Sequence, residues 1–182
     1  MKNKVQLAAK NKRLFAFGID WYLGNVFAMV PVAYLWTMMS GKAEINTQLK
    51  LFPGNMGYVA GLLSIVFSLI YHFIVPVFLW KGQTLGKKIL GIKSVKADYS
   101  EADIKFMALR QIIGICLMEG IFIQSGECLV EMLGMLFGEL FKNVMTYLFV
   151  AVFVISLLMF FKTNKALHDY LFKTAVIDIK GN

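Results

Sequence analysis

An aspartate, Asp20, lies inside an apolar run that extends from residue 14 to residue 39 and contains no other charged residue. A carboxylate in hydrocarbon costs about 3 kcal/mol or more, so it must be paired, neutralised or functional. Two kinds of chemistry are then open to it. It binds a proton or a cation, or it forms an ion pair with a residue of another helix. Arg13 precedes it by about two helical turns, roughly 10 Å along the axis, so we expect no direct contact between the two. We expect its partner among Arg110, Gln111, Lys165 and His168.

Four apolar stretches supply the elements that would position such side chains in a bilayer. The first has 26 residues, more than the roughly 20 that cross the hydrocarbon as a helix. The third is interrupted by Arg110 and Glu119, and Glu119 is either a second ion ligand near mid-membrane or the mark of a local bend. We predict an all-α, polytopic membrane protein with a single domain over residues 1–182. The four predicted transmembrane helices cover residues 14–39, 58–80, 106–123 and 144–161.

The basic residues predict the orientation of these helices. Lysine and arginine are retained on the cytoplasmic side of a membrane. Sixteen of the 19 lie in the amino tail, between residues 81 and 110, or after residue 161. This distribution predicts a cell-membrane protein with both termini in the cytoplasm. The net charge of +8 is then explained by basic residues retained on the cytoplasmic side, where they are attracted to the anionic headgroups of the lipid bilayer. We expect no nucleic-acid partner.

The segment between the third and fourth stretches has a different pattern. Glu127, Glu131, Gly134 and Gly138 recur at helical spacing among apolar residues. Such a pattern is typical of an amphipathic helix. We predict a helix over residues 127–141 that lies at the outer interface or extends the third transmembrane helix.

Residues 82–88 imitate a phosphate-binding loop but depart from it twice. Three residues separate Gly82 from Gly86 where four are required, and Lys88 stands where a hydroxyl side chain should bind magnesium. We predict instead a flexible turn in which Lys87 meets lipid headgroups. Residues 89–92 then form an apolar patch at the interface, and residues 93–105 form turns.

Catalytic and metal-binding patterns are weak. His168 and Asp169 would supply a base and its orienting acid, but adjacent residues on a helix point about 100° apart and no nucleophile accompanies them. The cysteines, Cys116 and Cys128, are too few and too widely spaced to predict a metal site. We expect no enzymatic activity, no cofactor and no metal.

Several of these residues together resemble the RDD family of bacterial membrane proteins. The chain departs from the family pattern at Lys165, where Arg is common, and at Lys173, where Gly is common. The resemblance implies a helical membrane domain with a role in transport. The matching positions are Arg13, Asp20, Gly82, Thr84, Gly86, Lys87, Leu167, His168, Asp169, Thr174 and Val176.

Two functional hypotheses follow. The first is transport of a small ion or solute, coupled to protons or monovalent cations, with Asp20 as the intramembrane binding group and Arg13 and Asp169 setting its charge state. His168, Arg110 and Glu119 would complete this ion site. The alternative is a non-transporting accessory, assembly or immunity protein in which the arginine and aspartate cluster is a structural clasp. In either case the protein would act as a homo-oligomer or within a larger membrane complex.

Overall fold

The computed structural model of the protein describes residues 6–42, 46–101, 103–104, 107–108, 110 and 123–179. Most of these residues are helical, and two short strands complete the fold. In chain order the elements are α1 (Lys10–Ser40), a short 3-10 turn (Leu49–Leu51), α2 (Met56–Leu79), α3 (Leu85–Leu90), β1 (Ile92–Lys96), α4 (Gln124–Phe137), α5 (Glu139–Thr163), α6 (Leu167–Leu171) and β2 (Thr174–Asp178).

Among the described residues, α1, α2 and α5 are long and apolar enough to cross a membrane. They coincide with the first, second and fourth predicted transmembrane helices. The predicted helix at 106–123 falls largely on residues 111–122, which lie outside the described part of the chain. Four transmembrane helices and cytoplasmic termini therefore remain predictions.

Helices α1 and α2 pack through small residues on α1. Ala16, Asp20, Gly24 and Ala28 recur every four residues and are buried, which places them on one face of the helix. Gly24 lies against His72 of α2, and a Cβ atom added at Gly24 would be 2.2 Å from Nε2 of that histidine. The missing side chain therefore permits a close approach of the two helices.

The last ten residues of α2, Ile70–Leu79, are wound as a π-helix that contains Pro76. Proline removes one backbone donor from the helix, and π-helical turns in proteins frequently occur at functional sites. Here the widened turns carry Tyr71, which donates to Asp20, and His72, which packs on Gly24.

The helix predicted over residues 127–141 was misplaced at both ends. It begins at Gln124 and ends at Phe137, and Gly138, with φ +93°, separates it from α5. Helix α4 packs against α2, where Ser125 Oγ donates to Ser68 Oγ at 3.0 Å. Helix α4 is thus packed against the bundle, and its predicted place at the outer interface stays a prediction.

The all-α prediction missed a small antiparallel sheet. Ile92 of β1 lies opposite Asp178 of β2, and Lys96 lies opposite Thr174. The predicted interfacial patch and turns over residues 89–105 are therefore wrong where β1 forms. A five-residue strand has too little local periodicity to identify, and its partner is about 80 residues away in the chain.

The sheet, α3 and α6 gather at one end of the bundle, which we call the basal end. Helix α1 begins there and α5 ends there, as shown by the hydrogen bond from Arg13 Nη1 to the carbonyl of Asn164. A buried apolar cluster of Ala8, Ala16, Ile92 and Val176 joins α1 to both strands. The basal end is thus a packed layer that brings together residues distant in sequence.

Candidate functional site at the basal end

The Asp20 carboxylate anchors α3 onto α1 and α2. Oδ1 accepts the backbone N–H of Gly86 at 2.8 Å and the hydroxyl of Tyr71 at 3.0 Å. Oδ2 accepts the hydroxyl of Thr84. Because the first N–H groups of a helix lack partners within it, a carboxylate from another helix here replaces the usual capping side chain.

The residues around α3 explain why a G-x-T-x-G pattern is needed. Gly82 adopts φ +97°, and a Cβ there would be 2.7 Å from the carbonyl oxygen of Ser94. Thr84 is the residue that precedes the helix. A Cβ at Gly86 would be 2.3 Å from the carbonyl oxygen of Ala16. Gly82 thus forms a turn, Thr84 contacts Asp20, and Gly86 permits the close approach of α3 to α1. The sequence had predicted only a flexible turn here.

A second buried carboxylate, Asp169, joins the ends of three other segments. It pairs with Arg13 of α1 and with Arg110, whose Nη2 lies 3.0 Å from Oδ1. Asp169 also accepts the hydroxyl of Thr174 at 2.8 Å and the backbone N–H of Ala166 at 3.2 Å. Its side chain is fully buried, so both charge and hydrogen-bonding capacity are matched by donors of the protein.

The charge of Asp169 is stabilised by its surroundings. Burial alone raises the pKa of a carboxyl group, but His168, Arg110 and Arg13 overcome that effect and hold the pKa of Asp169 well below its usual range. His168 Nε2 lies 3.4 Å from Asp169 Oδ1. Burial, together with the positive charge of Arg110, lowers the pKa of His168 to about 3, so this histidine is neutral near pH 7.

Between the two carboxylate networks lies a cavity of about 150 Å³, which we call the basal cavity. Its charged lining side chains are Arg13, Asp20, Lys87 and Arg110. Aromatic and aliphatic side chains of α1 and α5 also line it. These apolar residues are Leu14, Phe17, Trp21, Phe153, Leu157 and Phe160.

Lys87 projects inward, whereas the sequence predicted that it meets lipid headgroups. Its Nζ donates to Ser94 Oγ of β1 at 3.0 Å. Burial, followed by the positive charge of Arg110, lowers the pKa of Lys87 to about 8. The neighbouring Lys88 behaves differently, because its Nζ lies 4.2 Å from the centre of the Trp80 ring.

The structure brings together most of the predicted site residues but pairs them differently from expectation. Arg13 pairs with Asp169, and Lys165 lies over the ring of Tyr170. The donors to Asp20 described above are outside the predicted set of partners. Adjacent His168 and Asp169 are within 3.4 Å, although helical geometry predicted divergent side chains. Glu119 and Gln111 lie outside the described residues.

Sequence reasoning also overlooked residues of the site. Tyr71 had no motif to distinguish it from other aromatic residues of the second apolar stretch. Ser94, which binds Lys87, lies on the strand that periodicity failed to reveal. Thr174 was noted through the family resemblance, and its position at the start of β2 explains how it reaches both Arg110, at 3.3 Å, and Asp169.

Long apolar helices, joined at one end by buried ion pairs and a carboxylate-anchored helix, define a helical integral membrane protein. The chain belongs to the RDD family, whose sequence model matches residues 7–173. It is similar to the uncharacterized protein YckC of Bacillus subtilis (strain 168), with 29% identity over 91 residues. This match covers 50% of the chain, and the chain spans about half the length of that relative. No solved structure matches the chain.

Proposed function

We propose that this RDD protein transports a small solute, which it binds in the basal cavity. The observation that carries the proposal is a cavity of about 150 Å³ lined by charged side chains beside helices long enough to cross a membrane. Ligand sites typically combine an apolar wall with a few convergent polar groups. Sixteen of the 19 lysines and arginines lie in the amino tail, between residues 81 and 110, or after residue 161, and described parts of these three segments meet at the basal end. The proposal therefore places this end in the cytoplasm.

Asp20 would couple protons or monovalent cations to this transport. Its two oxygens accept Thr84, Tyr71 and the backbone of Gly86. A proton or cation that occupied the carboxylate would compete with these donors and weaken the attachment of α3 to α1. Since α3 also carries Lys87 on the cavity wall, ion binding at Asp20 would change access to the cavity.

The test is proton and monovalent-cation flux in proteoliposomes that contain the purified protein or Asp20→Asn. Asparagine keeps one oxygen that can accept from Tyr71 and Gly86, and its amide group can donate to the Thr84 hydroxyl oxygen. It has no carboxylate to bind a proton or cation, so we expect flux to disappear while the protein stays folded. Asp178→Asn is the matched control, because Asp178 pairs with Lys12 at 2.5 Å at the same end but does not line the cavity. Unaltered flux in folded Asp20→Asn would contradict the role of Asp20.

One observation favours the alternative, a non-transporting accessory or assembly protein with a structural clasp. Asp169 is fully buried and is surrounded by Arg13, Arg110, Thr174 and the Ala166 backbone. Removing one member of such a buried pair typically costs about 3–5 kcal/mol. If the clasp is the whole role, Asp20→Asn and Asp169→Asn both lose folded protein, flux is absent from the wild type, and a stoichiometric partner co-purifies.

A further inference from the structure

We propose that the basal cavity binds a small organic anion, a monocarboxylate with a short apolar body, and that Lys87 is its counter-ion. This inference rests on the proposed function, because it names the class of solute that the cavity takes. It is carried by the balance of charge around the cavity, by the contacts of Lys87 and by the apolar residues of the lining.

The charges of the cavity lining are unequal. Among the described residues, three cationic side chains, Arg13, Lys87 and Arg110, line the cavity, against a single carboxylate from Asp20. Asp169, which does not line it, compensates both arginines. Asp20 is engaged by the hydroxyl and amide donors that hold α3. One positive charge therefore remains in excess beside the cavity, which favours an anionic ligand.

Of the cationic lining residues, Lys87 has no carboxylate partner in the part of the chain that the structure describes. Its Nζ donates to the neutral hydroxyl of Ser94 at 3.0 Å, and within the described ranges it makes no ion pair. A partly buried ammonium group without a carboxylate is costly, and an anion in the cavity would offset that cost. Ser94 lies on β1, so the hydrogen bond joins the lysine to the sheet, of which Ile92 and Val176 line the cavity.

Size and apolar surface select the kind of anion. A cavity of about 150 Å³ is comparable to engineered cavities that bind benzene, which has six carbon atoms. Phe17 and Trp21 of α1 and Phe153, Leu157 and Phe160 of α5 offer apolar surface. Inorganic phosphate or chloride would leave that surface in contact with water, whereas a short-chain carboxylate covers it with its alkyl body.

Three probes of similar size test the inference in the intact protein: butyrate, its neutral isostere butyramide, and cationic butylamine. Binding is followed by calorimetry and by the shift of the melting temperature in detergent, because a ligand that binds the folded state stabilises it. We expect butyrate to bind at least tenfold more tightly than butyramide and butylamine to give no shift. Equal binding of butyrate and butyramide, or a stronger response to inorganic phosphate than to butyrate, would overturn the inference.

Variants on α3 then locate the counter-ion. Lys87→Gln should weaken butyrate binding at least tenfold, Lys87→Arg should restore most of it, and Lys88→Gln should leave it unchanged because Lys88 lies on the Trp80 ring. Unchanged binding in folded Lys87→Gln would remove Lys87 from the site.

Transport is measured separately with labelled butyrate in proteoliposomes. Butyrate binding without flux would contradict the proposed transport but not the anion site. Proton or cation flux without butyrate binding would contradict the anion site alone.

Discussion

The Asp20 carboxylate on α1 accepts the backbone N–H of Gly86 at 2.8 Å, across a separation of 66 residues in sequence. The bond places α3 directly on α1, where a Cβ at Gly86 would be 2.3 Å from the carbonyl oxygen of Ala16. The aspartate of the first apolar run and the glycine-containing segment at 82–86, which look unrelated in sequence, thus belong to one contact.

Substituting Gly86 should separate α3 from α1. Gly86→Ala would force its Cβ against the Ala16 carbonyl, a backbone atom that cannot rotate away, and should destabilise the protein by about 1–3 kcal/mol. Gly18→Ala is the control on α1, since no heavy atom lies within 4 Å of the added Cβ, and it should stabilise by roughly 0.5–1 kcal/mol. Thermal unfolding in detergent measures both, and equal effects would show that the close approach is unimportant.

Lys173, where the family resemblance implies glycine, has a positive φ angle. Its φ is +45°, a left-handed conformation that costs about 1–2 kcal/mol for a residue with a Cβ. Lys173→Gly should therefore raise the stability by about 1 kcal/mol, whereas Lys173→Ala, which keeps the Cβ, should give no gain. A higher melting temperature for the alanine variant than for the glycine variant would refute the strain argument.

The buried and the more exposed ion pairs at the basal end should contribute very different free energies to stability. Asp169→Asn leaves Arg13 and Arg110 without their shared partner and should cost about 3–5 kcal/mol. Lys12→Gln breaks the more exposed pair with Asp178 and should cost about 1 kcal/mol or less. Denaturation of purified variants compares them, and a double-mutant cycle of Arg13 with Asp169 measures their coupling.

His168 should make the fold sensitive to mild acid. Its pKa is about 3 in the folded protein against an ordinary value of 6.5, so below pH 6.5 the unfolded chain binds a proton that the folded chain does not. Stability then falls as the pH drops from 6.5 toward 4, by up to about tenfold per pH unit in the unfolding equilibrium. Asp169 contributes its own loss only below its ordinary pKa of 3.8.

His168→Gln isolates this effect. The variant should show a flatter dependence of melting temperature on pH between 6.5 and 4, while the remaining carboxylates contribute equally to both proteins. Parallel pH profiles for the wild type and the variant would show that His168 titrates normally in the folded state.

Butyrate binding should weaken as Lys87 loses its proton. The pKa of Lys87 is lowered to about 8, so the fraction of charged ammonium falls between pH 7 and 9, and the affinity for butyrate should fall with it. Calorimetry at pH 7, 8 and 9 measures this, with Lys87→Arg as the control that should stay flat because arginine remains charged. The groups whose charges act on Lys87 are Arg110, Asp20, Asp169 and Arg13.

The long apolar helices could be predicted because hydrophobicity is a local property that accumulates along the chain. Three of the four predicted transmembrane stretches correspond to observed helices, and most of the predicted ends lie within about four residues of the observed ends. The segment at 127–141 was harder, because its helical periodicity continues through Gly138, where the backbone turns at φ +93°.

The candidate site was predictable only as a set of residues. An aspartate in an apolar run must have a reason to be there, and this made Asp20 identifiable without any fold. Its donors were not identifiable, because a hydroxyl from Tyr71 and a backbone amide from Gly86 have no distinguishing pattern in sequence. The expected partners were polar or basic side chains, Arg110, Gln111, Lys165 and His168, whereas the packed helices placed a tyrosine hydroxyl and a backbone amide beside it.

The sequence by itself determined that this is a membrane protein with charged residues at the ends of its apolar helices and an acid within the first, since hydropathy and charge are written residue by residue. Only the tertiary structure decided that Arg13 meets Asp169, that β1 pairs with β2 and that Lys87 faces a cavity. These contacts join segments about 80 to 160 residues apart, and they form only when the basal end of the bundle packs.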